Sequence, residues 1–147
     1  MAGKVIASTG RFLFVKVEEG SRLPQAIDEV LDSQGIGFAL IQGIGGLRWA
    51  RIAVFSPQEG RYYPVDVEAA EGRVLELVSL SGNSVLGPDG TYYTHLHVAV
   101  ARAPGEVYAG HLIEAEVEPF AEVFIVEAAG GLEEARRLLK HRWTPRK

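Results

Sequence analysis

The sequence predicts an α+β fold, a mainly antiparallel sheet flanked by two helices. Three observations carry that expectation. Elements follow one another as strand, helix, many strands and helix. The strand runs between residues 36 and 128 are joined by turns of hairpin length without helical crossovers, which disfavours a parallel doubly wound sheet. The chain has 147 residues, of which 47% are hydrophobic and 23% charged, a globular composition long enough for one domain, 1–147, to bury its own core.

Taken in order, "RFLFVKV" from Arg11 to Val17 is rich in β-formers and ends at Glu18-Glu19-Gly20, so it reads as the first strand. A helix follows: Ser21 and Pro24 are start signals, Leu23, Ile27, Val30 and Leu31 recur at helical spacing, and Gly35 is the stop. "GFALIQGIGGLRWARIAVFSP" reads as two strands broken at Gly43, Gly45 and Gly46 by a turn or bulge. Those glycines lack the spacing of a phosphate-binding loop. After a turn at Gln58-Glu59-Gly60, strands are expected in "RYYPVDV" and "RVLELVSLSG". The second is apolar on both faces except at Glu76, the pattern of a central strand covered on both sides. "GPDG" at 87–90 turns the chain into "TYYTHLHVAVA", and "APG" turns it again. "VYAGHLIEAEVEPFAEVFIVEA" should give a short strand and a long one, interrupted at Pro119. The C-terminal helix is placed at 132–140, with Leu132, Ala135, Leu138 and Leu139 on one face, followed by a basic tail at 141–147 whose "RWTPRK" is expected to fray.

Composition excludes several functions. The chain contains no cysteine, so disulfides, thiolate metal sites and a thiol nucleophile are all ruled out. A net charge of −4 argues against a generally basic nucleic-acid binder, although residues 132–147 carry six Lys or Arg against two Glu. No apolar run approaches the roughly 20 residues that cross a bilayer, and the first residues lack a secretory h-region, so no membrane partner is expected and the cytoplasm is the expected compartment.

Three of the four histidines, His95, His97 and His111, fall within residues 94–112. Side chains alternate along a strand, so His95 and His97 share one surface while Leu96, Val98 and Val100 point into the core. If Arg102–Glu106 form a five-residue loop centred on Pro104, Ala101 faces Val107 and His97 faces His111 on that same surface. A two-residue loop would instead turn His111 away, unless a bulge at Gly110 restores the register. Three imidazoles so placed suit a divalent metal, zinc first and then iron, copper or nickel, with a position left open to water, a small anion or a substrate. The same spacing also fits two half-exposed histidines and a turn histidine bonded to a carbonyl, with no metal. Ser79, Ser81 and Ser84 lack a nucleophile-elbow motif. Glu76, Glu106 and Glu114 remain as proton-transfer candidates, Glu76 with a raised pKa if it is buried.

"LELVSLSGN" (75–83), the "DG" turn, "HLHVAV" and "AGHL" occur in order. This succession resembles the plant-and-prokaryote-conserved (PPC) domain family, in which a G-R-F-E-I-L-S-L-S-G-like strand precedes H-[LV]-H and G-G-H motifs. The match runs from about Ile41 to Val126. The resemblance implies an antiparallel sheet with flanking helices, a homotrimer, and a metal at His95, His97 and His111. Plant members carry AT-hooks with an R-G-R-P core beside the domain. This chain has no such core, has one extra residue between Gly72-Arg73 and Glu76-Leu77, and has Ala109 where glycine is frequent. The expected function is a DNA-associated or regulatory homotrimeric module with a three-histidine metal site. The alternative is a small metal-dependent enzyme or metabolite-binding protein using the same histidines, and a trimer without metal is a third reading.

Overall fold

The computed structural model describes Gly3 and residues 5–144. Its strands and helices are β1 (Ser8–Glu18), β2 (Arg22–Leu23), α1 (Gln25–Gln34), β3 (Phe38–Ser56), β4 (Arg61–Glu68), β5 (Leu75–Leu86), β6 (Tyr92–Ala103), β7 (Glu106–Ala129) and α2 (Leu132–Leu138). Helix α1 ends where the sequence placed its stop. Gly35 adopts φ +64°, a left-handed conformation that a Cβ disfavours, and its N–H reaches the carbonyls of Asp32 and Leu31. Ile27 and Leu31 of α1 are buried against the sheet.

All strands belong to one antiparallel sheet of order β1-β7-β6-β5-β3-β4, with β2 on β7. Strand β7 also pairs with β3, so the ladders β3–β5, β5–β6, β6–β7 and β7–β3 close into a ring. Followed residue by residue around that ring, the ladder leaves β3 at Gln42 and returns to it at Ala53. This stagger is what a closed, coiled sheet requires, and it demands long strands.

The length of β3 and β7 is where the structure departs from the sequence reading. Gly43–Gly46 do not divide β3 into two strands; they form a bulge, with Gly43 opposite Leu80 and Gly45 opposite Leu77. Pro119 does not interrupt β7. It falls in a register gap, between the pairs Leu47–Val117 and Gly45–Ala121, where its missing N–H deprives no ladder partner. Gly46 faces that gap, and a Cβ there would overlap the carbonyl oxygen of Glu118. Glycine on one strand and proline on its neighbour thus form one matched irregularity.

Strand β5 is internal, as expected, but only one of its faces is covered. A register shift between Leu77 and Ser79 lets Leu77 and Leu80 both point inward, while Val78 is 53% exposed and Glu76 lies on the surface. The inward residues of β3, β5, β6 and β7 meet α1 in one apolar cluster that includes Ile41, Leu77, Leu96 and Ile125. After α2, a 3₁₀ turn at Lys140–Arg142 continues the chain. There Arg142 donates to the Tyr93 carbonyl at 3.2 Å, and the Trp143 ring lies 5.2 Å from that of Tyr93. Residues 145–147 of the basic tail lie outside the described residues.

Candidate metal centre

The β6–β7 hairpin brings the three histidines together by a route that combines both registers considered from sequence. The turn is tight, with Pro104 and Gly105 between the paired residues Ala103 and Glu106. A register shift follows at Arg102, so that Ala101 faces Val107 and His97 faces His111. The compensating bulge is therefore at Arg102 rather than at Gly110.

The imidazoles of His95 and His97 bring their Nε2 atoms to 3.2 Å, and one nitrogen from each of His95, His97 and His111 lies within 4.8 Å of the others. Two nitrogens bound to one tetrahedral zinc at about 2.0–2.1 Å stand about 3.3 Å apart, so the first pair already has ligand spacing. The third ring is held by stacking: the Tyr62 ring lies 4.8 Å from that of His111 at an interplanar angle of 25°. Nδ1 of His111 is buried without a hydrogen-bond partner among the described residues. An unspent buried nitrogen and a near-contact between two ring nitrogens fit a cation more naturally than a self-contained hydrogen-bond network.

Electrostatics disfavour protonation of His95 and His111. His95 is pushed down to about 4, first by burial, then by the charge of Arg142, then by the neighbouring histidines. His111 is lowered by burial and by His97. Neutral imidazoles retain the lone pairs that a metal needs. In the metal-free protein, unfolded His95 would protonate near its ordinary 6.5 while folded His95 resists protonation until about 4. Unfolding therefore takes up a proton in that window, and stability is expected to fall as pH drops from about 6.5 towards 4, levelling off below. Urea titrations of metal-free protein at pH 7, 5.5 and 4 would check this; equal stability at pH 7 and 5.5 contradicts it.

The other sequence candidates do not join the site. Glu76 is exposed rather than buried. Glu106 accepts from the Tyr108 hydroxyl and lies 3.6 Å from Arg102, and Glu114 pairs with Arg22 at 3.6 Å. Ser84 is buried and shares a hydrogen bond of 2.6 Å with Thr94, which in turn donates to Asp28 of α1, so it docks a helix. Ser81 stands opposite His97, and Ser79 is exposed. Tyr62, Asn83 and Arg142 are the neighbours that sequence reasoning missed. Tyr62 could have been found by pairing β3 with β4 across the Gly60 turn, but nothing local marks the other two. A surface groove beside Trp49, Arg73 and Arg102 lies elsewhere and contains none of these histidines.

The register ladders place the histidines on a longer outward face. One row runs Phe14, Phe124, Gln42, Ser81, His97 and His111; its neighbour runs Phe12, Val126, Leu40, Asn83 and His95. The same face is polar at one end and aromatic at the other, where Phe12 is 65% and Phe14 56% exposed.

Comparison with known proteins agrees with this outline. The family described as the Plants and Prokaryotes Conserved (PCC) domain matches residues 5–129. A metal-containing protein from Archaeoglobus fulgidus is 33% identical, covers 88% of this chain and 89% of its own, and superposes with a TM-score of 0.78. A plant- and prokaryote-conserved (PPC) protein from Pyrococcus horikoshii is 35% identical, over 88% of this chain and 86% of that one, with a TM-score of 0.77. No curated protein matches at a significant level.

Proposed function

The chain belongs to the Plants and Prokaryotes Conserved domain family, and from that premise we propose that it is a homotrimeric, ligand-responsive metal module of the cytoplasm. His95, His97 and His111 hold a divalent cation, zinc before others because three neutral imidazoles and no thiolate suit it. The observation that carries this reading is the 3.2 Å approach of the His95 and His97 nitrogens within a three-nitrogen cluster. A relative described as metal-containing supports it. Bound there, the ion supplies Lewis acidity at a coordination position that three protein ligands leave open.

The remaining roles fall to the chain itself. Tyr62 holds the His111 ring in place. The His95 ring stays unprotonated at neutral pH through its partial burial and the charge of Arg142. The exposed aromatic end of the same face, which leaves Phe12, Phe14, Ile44 and Phe120 to water, supports self-association. A DNA-associated role draws no support from a net charge of −4 or from the missing hook. A metal-dependent enzyme is the second reading, favoured by the open position. No helix among the described residues is long and apolar enough to cross a membrane.

The test is elemental analysis of tag-free protein together with sedimentation. About one metal per chain in a particle of three chains is the expected result. Metal-free protein that also fails to take up zinc on dialysis would refute the centre, and a monomer would refute the assembly. Duplex DNA titrated at low and high salt should show no salt-dependent binding.

A further inference from the structure

The C-terminal 3₁₀ turn carries a cation to the edge of the histidine cluster. Arg142 is half-buried, yet no carboxylate pairs with it among the described residues. Its one hydrogen bond runs from Nη1 to the carbonyl oxygen of Tyr93, at 3.2 Å, two residues before His95 on the same strand. Residues two apart on a strand point the same way and lie about 7 Å apart, so the guanidinium is anchored one step from the first imidazole. Among the described residues its Nε–Nη2 edge has no protein acceptor. That edge is the planar fork that grips two oxygens of a carboxylate or phosphate at once.

A half-buried guanidinium without a counter-charge is costly to maintain, and placing it beside a cluster that would bind a dication raises that cost further. Both positive groups become favourable if an anion lies between them. Resting on the metal reading above, we infer that Arg142 and the open side of the three-histidine cluster form one binding site for a small oxyanion, whose oxygens would be shared between the guanidinium fork and the cation side. Carboxylates and phosphates share this chemistry. The Trp143 ring against Tyr93 pins the turn that presents the arginine.

The experiment titrates oxalate and, separately, inorganic phosphate into zinc-loaded protein by calorimetry, for the wild type, Arg142→Met and Arg142→Lys. At least one of the two anions is expected to bind the wild type, and to bind Arg142→Met about tenfold or more weakly, as loss of charge-assisted hydrogen bonds predicts. Arg142→Lys, which keeps the charge without the fork, should fall between. Zinc content should be the same in all three proteins. The anion that binds more tightly identifies the source as carboxylate or phosphate. Protein that takes up no zinc overturns the metal centre and the bridging site with it. Protein that takes up zinc but binds neither anion, or binds them equally well with Met at 142, overturns the oxyanion site alone.

Discussion

Replacing His97 with alanine is expected to abolish stoichiometric metal retention while leaving the fold intact. His97 is the exposed member of the cluster, so its side chain contributes little apolar burial, and surface truncations of that kind change stability by about 0.5 kcal/mol or less. Its nitrogen, by contrast, is half of the pair that already stands at ligand spacing. Changes in the groups behind metal ligands commonly cost 10- to 100-fold in affinity, and loss of a ligand itself should exceed about 100-fold. Equilibrium dialysis against zinc, with circular dichroism as the control for folding, reads both quantities. A His97→Ala protein that keeps one tightly held metal per chain would remove this residue from the centre.

Gly82→Ala should damage the fold and the site together. A Cβ at this position of β5 would overlap the carbonyl oxygen of His95 and come within 3.0 Å of the Leu96 Cα. The obstructing atoms are backbone, so no side chain can swing aside, and the two strands must separate. Overpacking of this kind costs about 1–3 kcal/mol. The displaced segment carries His95, so zinc affinity should drop by about 10- to 100-fold as well, the scale of a disturbed support behind a ligand. Gly3→Ala, where an added Cβ meets nothing within 4 Å, is the control expected to change neither quantity. Thermal denaturation and zinc titration on the same samples provide the comparison. A Gly82→Ala protein with the wild-type melting temperature contradicts the close approach.

These two residues also show how unevenly the sequence exposes its meaning. His95 and His97 could be assigned to one face because a strand's side chains alternate with a period of two, a rule that needs no tertiary information. The pairing of His97 with His111 was reachable too, but only through an assumed five-residue loop. The observed path reaches the same pairs with a tighter turn and a bulge at Arg102, a feature no local signal announces. Gly82 stood only as the glycine of the "LELVSLSGN" motif behind the family resemblance, with nothing local to mark its packing role. Its importance arises from a neighbouring strand that lies thirteen positions away at His95 and comes into van der Waals conflict with any side chain there.

Strand boundaries failed for a related reason. Glycine clusters and proline are read locally as breaks, and in isolation they are. In this molecule Gly46 and Pro119 face each other across adjacent strands, so each irregularity absorbs the other and both strands run on. β5 was expected to be covered on both faces because Val78 and Leu80 are both apolar. The bulge after Leu77 breaks the alternation, turns Leu80 inward and leaves Val78 in water.

What the sequence by itself determined is the α+β class, the antiparallel character of the sheet, the helix stop at Gly35, and the shared face of His95 and His97. Each follows from a period, a turn residue or a connection length, which are properties of short stretches of chain. Only the tertiary structure decided that the sheet closes into a ring, that Tyr62 stacks on His111, and that Arg142 returns from the C-terminus to the side of His95. Those depend on register accumulated over several ladders and on contacts between residues as far apart as 93 and 142, and no local propensity encodes a sum of that kind.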